Sequence, residues 1–225
     1  MTTGAVIVAA GRSSRMAGVD KLLLPLGGRP LLAHSLATIA NHPAVDRVTI
    51  VCSDGNLDEA ASLATKESPS AVVVLGGARR RDSVRAGLEA LPGIDHVIIH
   101  DGARPFVTRP MIDSVLAGAR LTGAALCAIP MPDTVKRANL SGLVRSTVSR
   151  EGLWLAQTPQ AFRTDLLLRA HQASDIDATD DASLVELLGE PVRIVLGSAH
   201  NLKITLPDDL ALAEALYASI RRGEA

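Results

Sequence analysis

Short apolar runs alternate along this chain with stretches whose apolar positions recur every three or four residues. Val6 to Ala9 reads as a first strand. Leu32, Leu36 and Ile39 follow at i, i+4, i+7 and predict a helix. Val48 to Cys52 predicts a second strand, Asp58 to Thr65 a helix, and Ala71 to Leu75 a third strand closing on Gly76-Gly77. Asp82 to Leu91 reads as a helix, Val97 to His100 as a fourth strand, Met111 to Arg120 as a helix and Ala124 to Ile129 as a fifth strand. This alternation predicts right-handed βαβ crossovers, hence an α/β, Rossmann-like, mainly parallel sheet flanked by helices.

The rhythm breaks after Ile129. Pro130, Pro132, Lys136, Arg137, Asn139 and Gly142 make residues 131–152 polar and rich in turns. Thr134-Val135 and Val144 to Val148 have β character on either side of Asn139-Leu140-Ser141-Gly142. A β-hairpin arm projecting from the domain is expected, because nothing in the segment builds a core of its own. A partner subunit is the simplest support for such an arm. Thr164 to Ala173 and Thr179 to Leu188 then read as helices, the second with Thr179 as N-cap and two acids in its first turn, where the helix dipole favours them. Val192 to Leu196 reads as a late strand. Thr205 to Asp208 resembles a capping-box start, followed by an apolar stripe of Ala213, Leu216, Tyr217 and Ile220 expected to pack as core. With no internal repeat or linker, residues 1–225 are expected to form one domain carrying its arm at 131–152.

Composition sharpens this picture. Of the 225 residues 47% are hydrophobic but only 2% aromatic. The core is therefore built from Ala, Val, Leu and Ile, as suits a buried parallel sheet. A net charge of −1 supplies no field toward nucleic acid or an acidic membrane, and aromatic stacking platforms are lacking. Cys52 and Cys127 both sit in apolar runs and read as small buried hydrophobes in a reducing compartment. The first apolar run extends for only about six residues before charge arrives, too short for a signal peptide or a membrane span. A cytoplasmic protein is expected.

In open α/β sheets, ligands bind beyond the carboxyl ends of the strands. Gly11, Arg15 and Lys21 follow the first strand. Gly76, Gly77, Arg79, Arg80, Arg81 and Ser83 follow the third, and Asp101, Gly102 and Arg104 the fourth. The Ala9-Ala10-Gly11 loop matches neither the P-loop nor the dinucleotide fingerprint. Small residues there would let backbone N–H groups close on an anion with Arg15 and Lys21 neutralising a polyphosphate; the loop equally reads as an ordinary βα turn with a solvated Arg and Lys. For at least two of Arg79, Arg80 and Arg81 a solvated helix start is the expected role. Gly77 and Ser83 suit a base or ribose contact. Asp101 either caps its own turn or faces a divalent ion or a substrate hydroxyl. Arg104, stiffened by Pro105, suits a phosphate fork, and His100 is expected to pack rather than catalyse. No Ser/His/Asp, Cys/His or zinc set is legible. Chemistry that needs positioned cations, a metal and a nucleophile brought by the substrate fits best.

These segments resemble a known family. Ala9-Ala10-Gly11 with Arg15-Met16, Gly76-Gly77 through Asp82-Ser83-Val84, and His100-Asp101-Gly102-Ala103-Arg104-Pro105 match in order. So do Asp133-Thr134-Val135-Lys136, Arg150 ahead of Gln157-Thr158-Pro159-Gln160-Ala161-Phe162, Thr179-Asp180-Asp181-Ala182-Ser183 and Asn201-Leu202-Lys203-Ile204-Thr205. Together they resemble the 2-C-methyl-D-erythritol 4-phosphate cytidylyltransferases of non-mevalonate isoprenoid synthesis, nearly end to end. Three departures stand out: one residue fewer between the Arg and the Lys of the first loop, Ala78 in place of a common acid, and Gly102 in place of Ala.

The resemblance implies transfer of CMP from CTP to methylerythritol phosphate with release of pyrophosphate. It implies that Arg15 and Lys21 stabilise the charge that builds on the phosphates, with Mg²⁺ held mainly by the CTP phosphates. Ala10 and Gly11 would hold the nucleotide, Gly77 and Ser83 would read cytosine, and Gly102 would approach the ribose. Asp101, Arg104 and Thr158 would face the sugar alcohol, while Arg150 and Lys203, the latter on a framed strand, would position its phosphate. Thr134 and Arg150 lie on the arm and would reach the neighbouring subunit's site, which implies a homodimer. The alternatives are a ribitol 5-phosphate or molybdenum-cofactor nucleotidyltransferase, which share part of this motif set, and a non-catalytic nucleotide-binding regulator on the same scaffold.

Overall fold

The computed structural model describes residues 1–11 and 20–223. Among these, a seven-stranded sheet organises the chain, in the order β11-β7-β10-β6-β1-β4-β5. Its first half is β1 (Thr3–Ala9), β4 (Arg47–Cys52), β5 (Val72–Leu75) and β6 (His96–Asp101), all parallel. The other half is β7 (Ala124–Pro130), β10 (Trp154–Arg163) and β11 (Arg193–Leu196). A short β2–β3 ribbon (Pro25–Leu26 and Arg29–Pro30) lies apart. The mainly parallel α/β sheet expected from the pattern is present, with one exception. β10 runs antiparallel to both β6 and β7, between which it is inserted.

Residues along β1 alternate between the two faces of the sheet, as a strand buried on both sides must. Ala5, Ile7 and Ala9 join one core cluster, where α1 (Leu31–Ala40), α2 (Leu57–Glu67) and α4 (Arg109–Thr122) bring Leu36, Leu63 and Ile112. Val6 joins the other, where α3 (Arg80–Glu89), α5 (Thr164–Ala173) and α6 (Asp181–Leu187) bring Val84, Leu167 and Val185. A third, smaller cluster joins Leu26, Leu31 and Ile204 to α7 (Pro207–Arg222) through Ala213. No helix among the described residues is long and apolar enough to cross a membrane.

Residues 131–152 carry a separate two-stranded sheet, β8 (Val135–Ala138) with β9 (Val144–Val148), closed at Asn139, whose side chain accepts from the amides of Ser141 and Leu143. Leu140, Leu143 and Val144 stand exposed on it. This is the expected hairpin.

Three local expectations are corrected. The N-cap of α6 is Asp180, not Thr179: its carboxylate accepts from the Ser183 amide at 3.1 Å. The α7 stripe is only partly core, since Ala213 is buried but Ile220 is 42% exposed. Lys203 sits in an extended loop rather than on a strand. That loop is pinned where the Ile204 amide donates to the Ala103 carbonyl at 2.9 Å and Ile204 itself is fully buried.

Candidate active site

The strand order reverses between β1 and β6. From β1 the chain builds outward through β4 and β5, and from β6 it builds the other way. The carboxyl ends of those two strands open onto a cavity of about 300 Å³, at the place where open α/β sheets bind ligands. Ala10, Gly11 and Lys21 line it from the β1 side and Gly77, Arg80 and Ser83 from the β5–α3 turn. Asp101 stands at the end of β6, and Lys203 enters from the pinned loop.

Local geometry explains the residue types. A Cβ on Gly76 would stand 2.6 Å from both Ala10 Cβ and Ser83 Oγ, and one on Gly77 2.4 Å from Asp82 Cβ. Only glycine lets this turn approach the β1 loop so closely. Ser83 Oγ accepts from the Gly77 amide at 3.2 Å and donates to the Arg79 carbonyl at 3.2 Å, fixing the turn. Lys21 donates to the Ile204 carbonyl at 2.8 Å, which ties the first loop to the loop carrying Lys203.

Asp101 is the electrostatic centre. Lys203 Nζ lies 2.7 Å from its Oδ2, Arg80 Nη2 3.6 Å from its Oδ1, and Arg104 Nε 3.9 Å from Oδ2. Burial alone would raise its pKa. Lys203, Arg80 and Arg104 outweigh burial and hold the carboxyl well below the usual carboxylate range. Beneath it, Thr158 Oγ1 accepts from the Asp101 amide at 3.0 Å and pairs with His100 Nδ1 at 3.1 Å. Burial pushes the His100 imidazole down to about 4, against the pull of Asp101, so it is neutral at physiological pH. It is fully buried and packs, as expected. Burial likewise pushes the Cys127 thiol up to about 12, and both cysteines are free and buried.

Seven of the residues singled out in the sequence converge here: Ala10, Gly11, Lys21, Gly77, Ser83, Asp101 and Lys203. Arg15 lies outside the described residues. Gly102 is buried, its amide donating to the Val8 carbonyl at 3.0 Å. Arg104 and Thr158 do not line the cavity. Arg104 Nη1 instead donates to the Asn201 carbonyl at 2.7 Å, bracing the Lys203 loop from behind. Thr134 and Arg150 stay on the arm. Arg150 donates to the Pro132 carbonyl and lines a separate open groove with Pro130 and Trp154.

The arginine triplet differs most from expectation, since none of its members is a freely solvated helix start. Arg79 pairs with Asp82 and Asp175, both at 3.0 Å. Arg81 is 8% exposed and donates to the His171 and Ile176 carbonyls at 2.8 and 3.1 Å. Arg80 reaches the cavity wall between two carboxylates, Asp101 and Asp181. Sequence reasoning also passed over Asn201, which is fully buried and donates to the Thr158 carbonyl at 2.8 Å, joining the Lys203 loop to β10. Its place in a block next to Lys203 was the available signal.

The cavity can bind an anion-rich ligand among cations on three separate loops, Lys21, Arg79 with Arg80, and Lys203. Among the described residues it presents no nucleophile with an adjacent base, so it suits transfer between phosphates, where positioning and charge stabilisation supply most of the catalysis.

Comparison with known proteins agrees. Residues 3–219 match the family model described as "IspD: 2-C-methyl-D-erythritol 4-phosphate cytidylyltransferase". The protein of that name from Dehalococcoides mccartyi is 46% identical over 95% of each chain. The one from Halalkalibacterium halodurans is 44% identical over 99% of this chain and all of its own. A crystal structure from Thermus thermophilus under the same name superposes with a TM-score of 0.80 at 39% identity, covering 97% of this chain and 100% of that one. With its switch-point cavity and a family match running nearly from end to end, this chain belongs to the 2-C-methyl-D-erythritol 4-phosphate cytidylyltransferase family.

Proposed function

We propose that the chain transfers the cytidylyl group of CTP to 2-C-methyl-D-erythritol 4-phosphate, giving the diphosphocytidyl alcohol and pyrophosphate. The observation that carries this reading is the convergence of Lys21, Arg80 and Lys203 on one cavity at the switch point of a family member. A phosphate oxygen of the sugar alcohol attacks the α-phosphorus in line. The new P–O bond forms as the bond from the α-phosphorus to the bridging oxygen breaks, and pyrophosphate leaves with the electron pair. Lys21 and Lys203 stand where that charge develops, and such preorganised charges act most strongly in a site that excludes water. The Gly76-Gly77 turn and Ser83 form the wall suited to the cytosine. With Ala78 where the family commonly has an acid, recognition of the base there falls to backbone groups and the Ser83 hydroxyl.

Mg²⁺ enters as part of the nucleotide substrate. Among the described residues no three His, Cys, Asp or Glu side chains group to hold a metal ion, and Asp101 is already engaged by Lys203. This wall fits a cation carried on triphosphate oxygens and water, the ligands Mg²⁺ prefers in nucleotide sites. The arm supports a homodimer in which Thr134 and Arg150 complete the partner's site. Its apolar tip is uncovered in the single chain, and Arg150 is absent from this chain's own cavity. We place the reaction in the cytoplasm, where the buried Cys52 and Cys127 remain reduced.

Pyrophosphate release from Mg·CTP tests the reading, with methylerythritol phosphate and ribitol 5-phosphate supplied in separate reactions. Turnover is expected with the first and at least about 100-fold less with the second, since its longer unbranched chain carries the phosphate away from the in-line position, and a displacement of about 1 Å costs about 10²-fold. Equal or greater turnover with ribitol phosphate would reassign the substrate.

A further inference from the structure

The block Thr179-Asp180-Asp181-Ala182-Ser183 has no part in the reaction as derived above. In the structure Asp181 is 1% exposed and does not line the cavity. Capping α6 does not require it, because Asp180 does that. A buried carboxylate with no capping duty needs another reason to be there.

Its contacts supply one. Asp181 Oδ2 accepts from Arg80 Nη1 at 2.6 Å, and Oδ1 faces His171 Nε2 at 3.3 Å. The other terminal nitrogen of Arg80, Nη2, stops 3.6 Å from Asp101 Oδ1, beyond a good hydrogen bond. Asp101 gives its close contact, 2.7 Å, to Lys203. A line of alternating groups thus runs from the α5–α6 contact to the cavity: His171, Asp181, Arg80, Asp101, Lys203.

We propose that Asp181 is a positioning residue for the transfer reaction: it holds the Arg80 guanidinium off Asp101, so that Asp101 keeps Lys203 in place. The proposal rests on the nucleotidyl-transfer reading of the cavity. A guanidinium prefers to engage a carboxylate through two parallel N–H···O bonds. With Asp181 present, Arg80 spends its short bond there. With the charge of Asp181 removed, Asp101 at 3.6 Å is the carboxylate within ion-pair distance of Arg80, while Asp180, which also acts on Arg80, stays engaged by Gln160 and the Ser183 amide. A forked Arg80–Asp101 pair would occupy both oxygens of Asp101. Lys203, a point charge on a flexible stem and 41% exposed, would lose its fixed partner.

The test is a double-mutant cycle of wild type, D181N, R80M and R80M/D181N, read by kcat and KM for pyrophosphate release together with thermal melting. D181N is expected to lower kcat by about ten- to a hundredfold, the scale on which misplacing a reacting group acts. R80M/D181N is expected to recover to within about threefold of R80M alone, because the competing guanidinium is gone. A merely structural Asp181 predicts a lower melting temperature with the kcat of the folded enzyme unchanged. Additive losses, or a D181N enzyme with wild-type kcat, would overturn the proposal. If D181N does not fold, D181S, which likewise removes the charge, takes its place with the same expected recovery by R80M. A crystal structure of the variant reads the relay without turnover. Arg80 is expected within hydrogen-bond reach of Asp101, and an unmoved Arg80 would overturn the relay. Wild-type enzyme that releases no pyrophosphate with either phospho-alcohol would end the functional reading instead.

Discussion

Replacing Lys203 by Ala is expected to lower kcat/KM for pyrophosphate release by about 10²- to 10³-fold, the usual effect of removing one preorganised group from a developing charge. The fold should hardly notice. Lys203 is 41% exposed on its side chain, and its pair with Asp101 is partly screened, so the stability lost is at most about 1 kcal/mol. Asp101 keeps Arg80 and Arg104 nearby, and the loop itself is held by Ile204 and by the Arg104 bond to Asn201. A melting temperature close to wild type together with a large kinetic loss is therefore the signature of a site residue. Unchanged kcat/KM would remove Lys203 from the reaction.

The second large effect comes from mixing inactive chains. In the homodimer proposed above, R150A and K203A variants should each be nearly inactive. After subunit exchange, a heterodimer has one site that takes Lys203 from the R150A chain and Arg150 from its partner's arm. Random pairing makes about half the dimers mixed with one good site each, so about a quarter of wild-type activity should return. The geometry behind this is plain. Arg150 is held at the root of the arm by the Pro132 carbonyl and lines a groove apart from the cavity. Mixed samples that stay as inactive as their parents, despite demonstrated exchange, would mean that Arg150 serves its own chain or no site at all.

Much of this architecture is legible in the residues, and the exceptions share a cause. β1, β4, β6 and β7 are apolar because both their faces are buried, so each appears as a run of Val, Ile, Ala and Leu. β10 is just as buried in its second half but does not announce itself. Gln157, Thr158 and Gln160 are inward residues satisfied by hydrogen bonds, to Ser198, to His100 and the Asp101 amide, and to Asp180. The register also shifts between Ala156 and Gln160, as at bulges that re-aim side chains beside functional sites. Polar burial defeats a reading based on apolar periodicity, and it is concentrated where the chemistry lies.

The same reasoning covers the charges. Lys21, Asp101 and Lys203 could be placed from the strand-end rule and the motif blocks. Arg80 could not, because three consecutive arginines at a helix start look like solvated charge. Their separate roles depend on Asp175, His171 and Asp181, roughly ninety to a hundred positions away, a separation at which periodicity carries no signal. Arg104 shows the converse. Its neighbouring Pro105 suggested a fork held out toward phosphate, whereas the folded chain turns it inward onto the Asn201 carbonyl.

A crystal structure of the chain with Mg·CTP tests the central claim most directly. The triphosphate is expected between Lys21 and Lys203 at the carboxyl ends of β1 and β6, with the cytosine against Gly77 and Ser83. A nucleotide seated in the arm groove beside Arg150, or one whose phosphates contact neither lysine, would contradict the account.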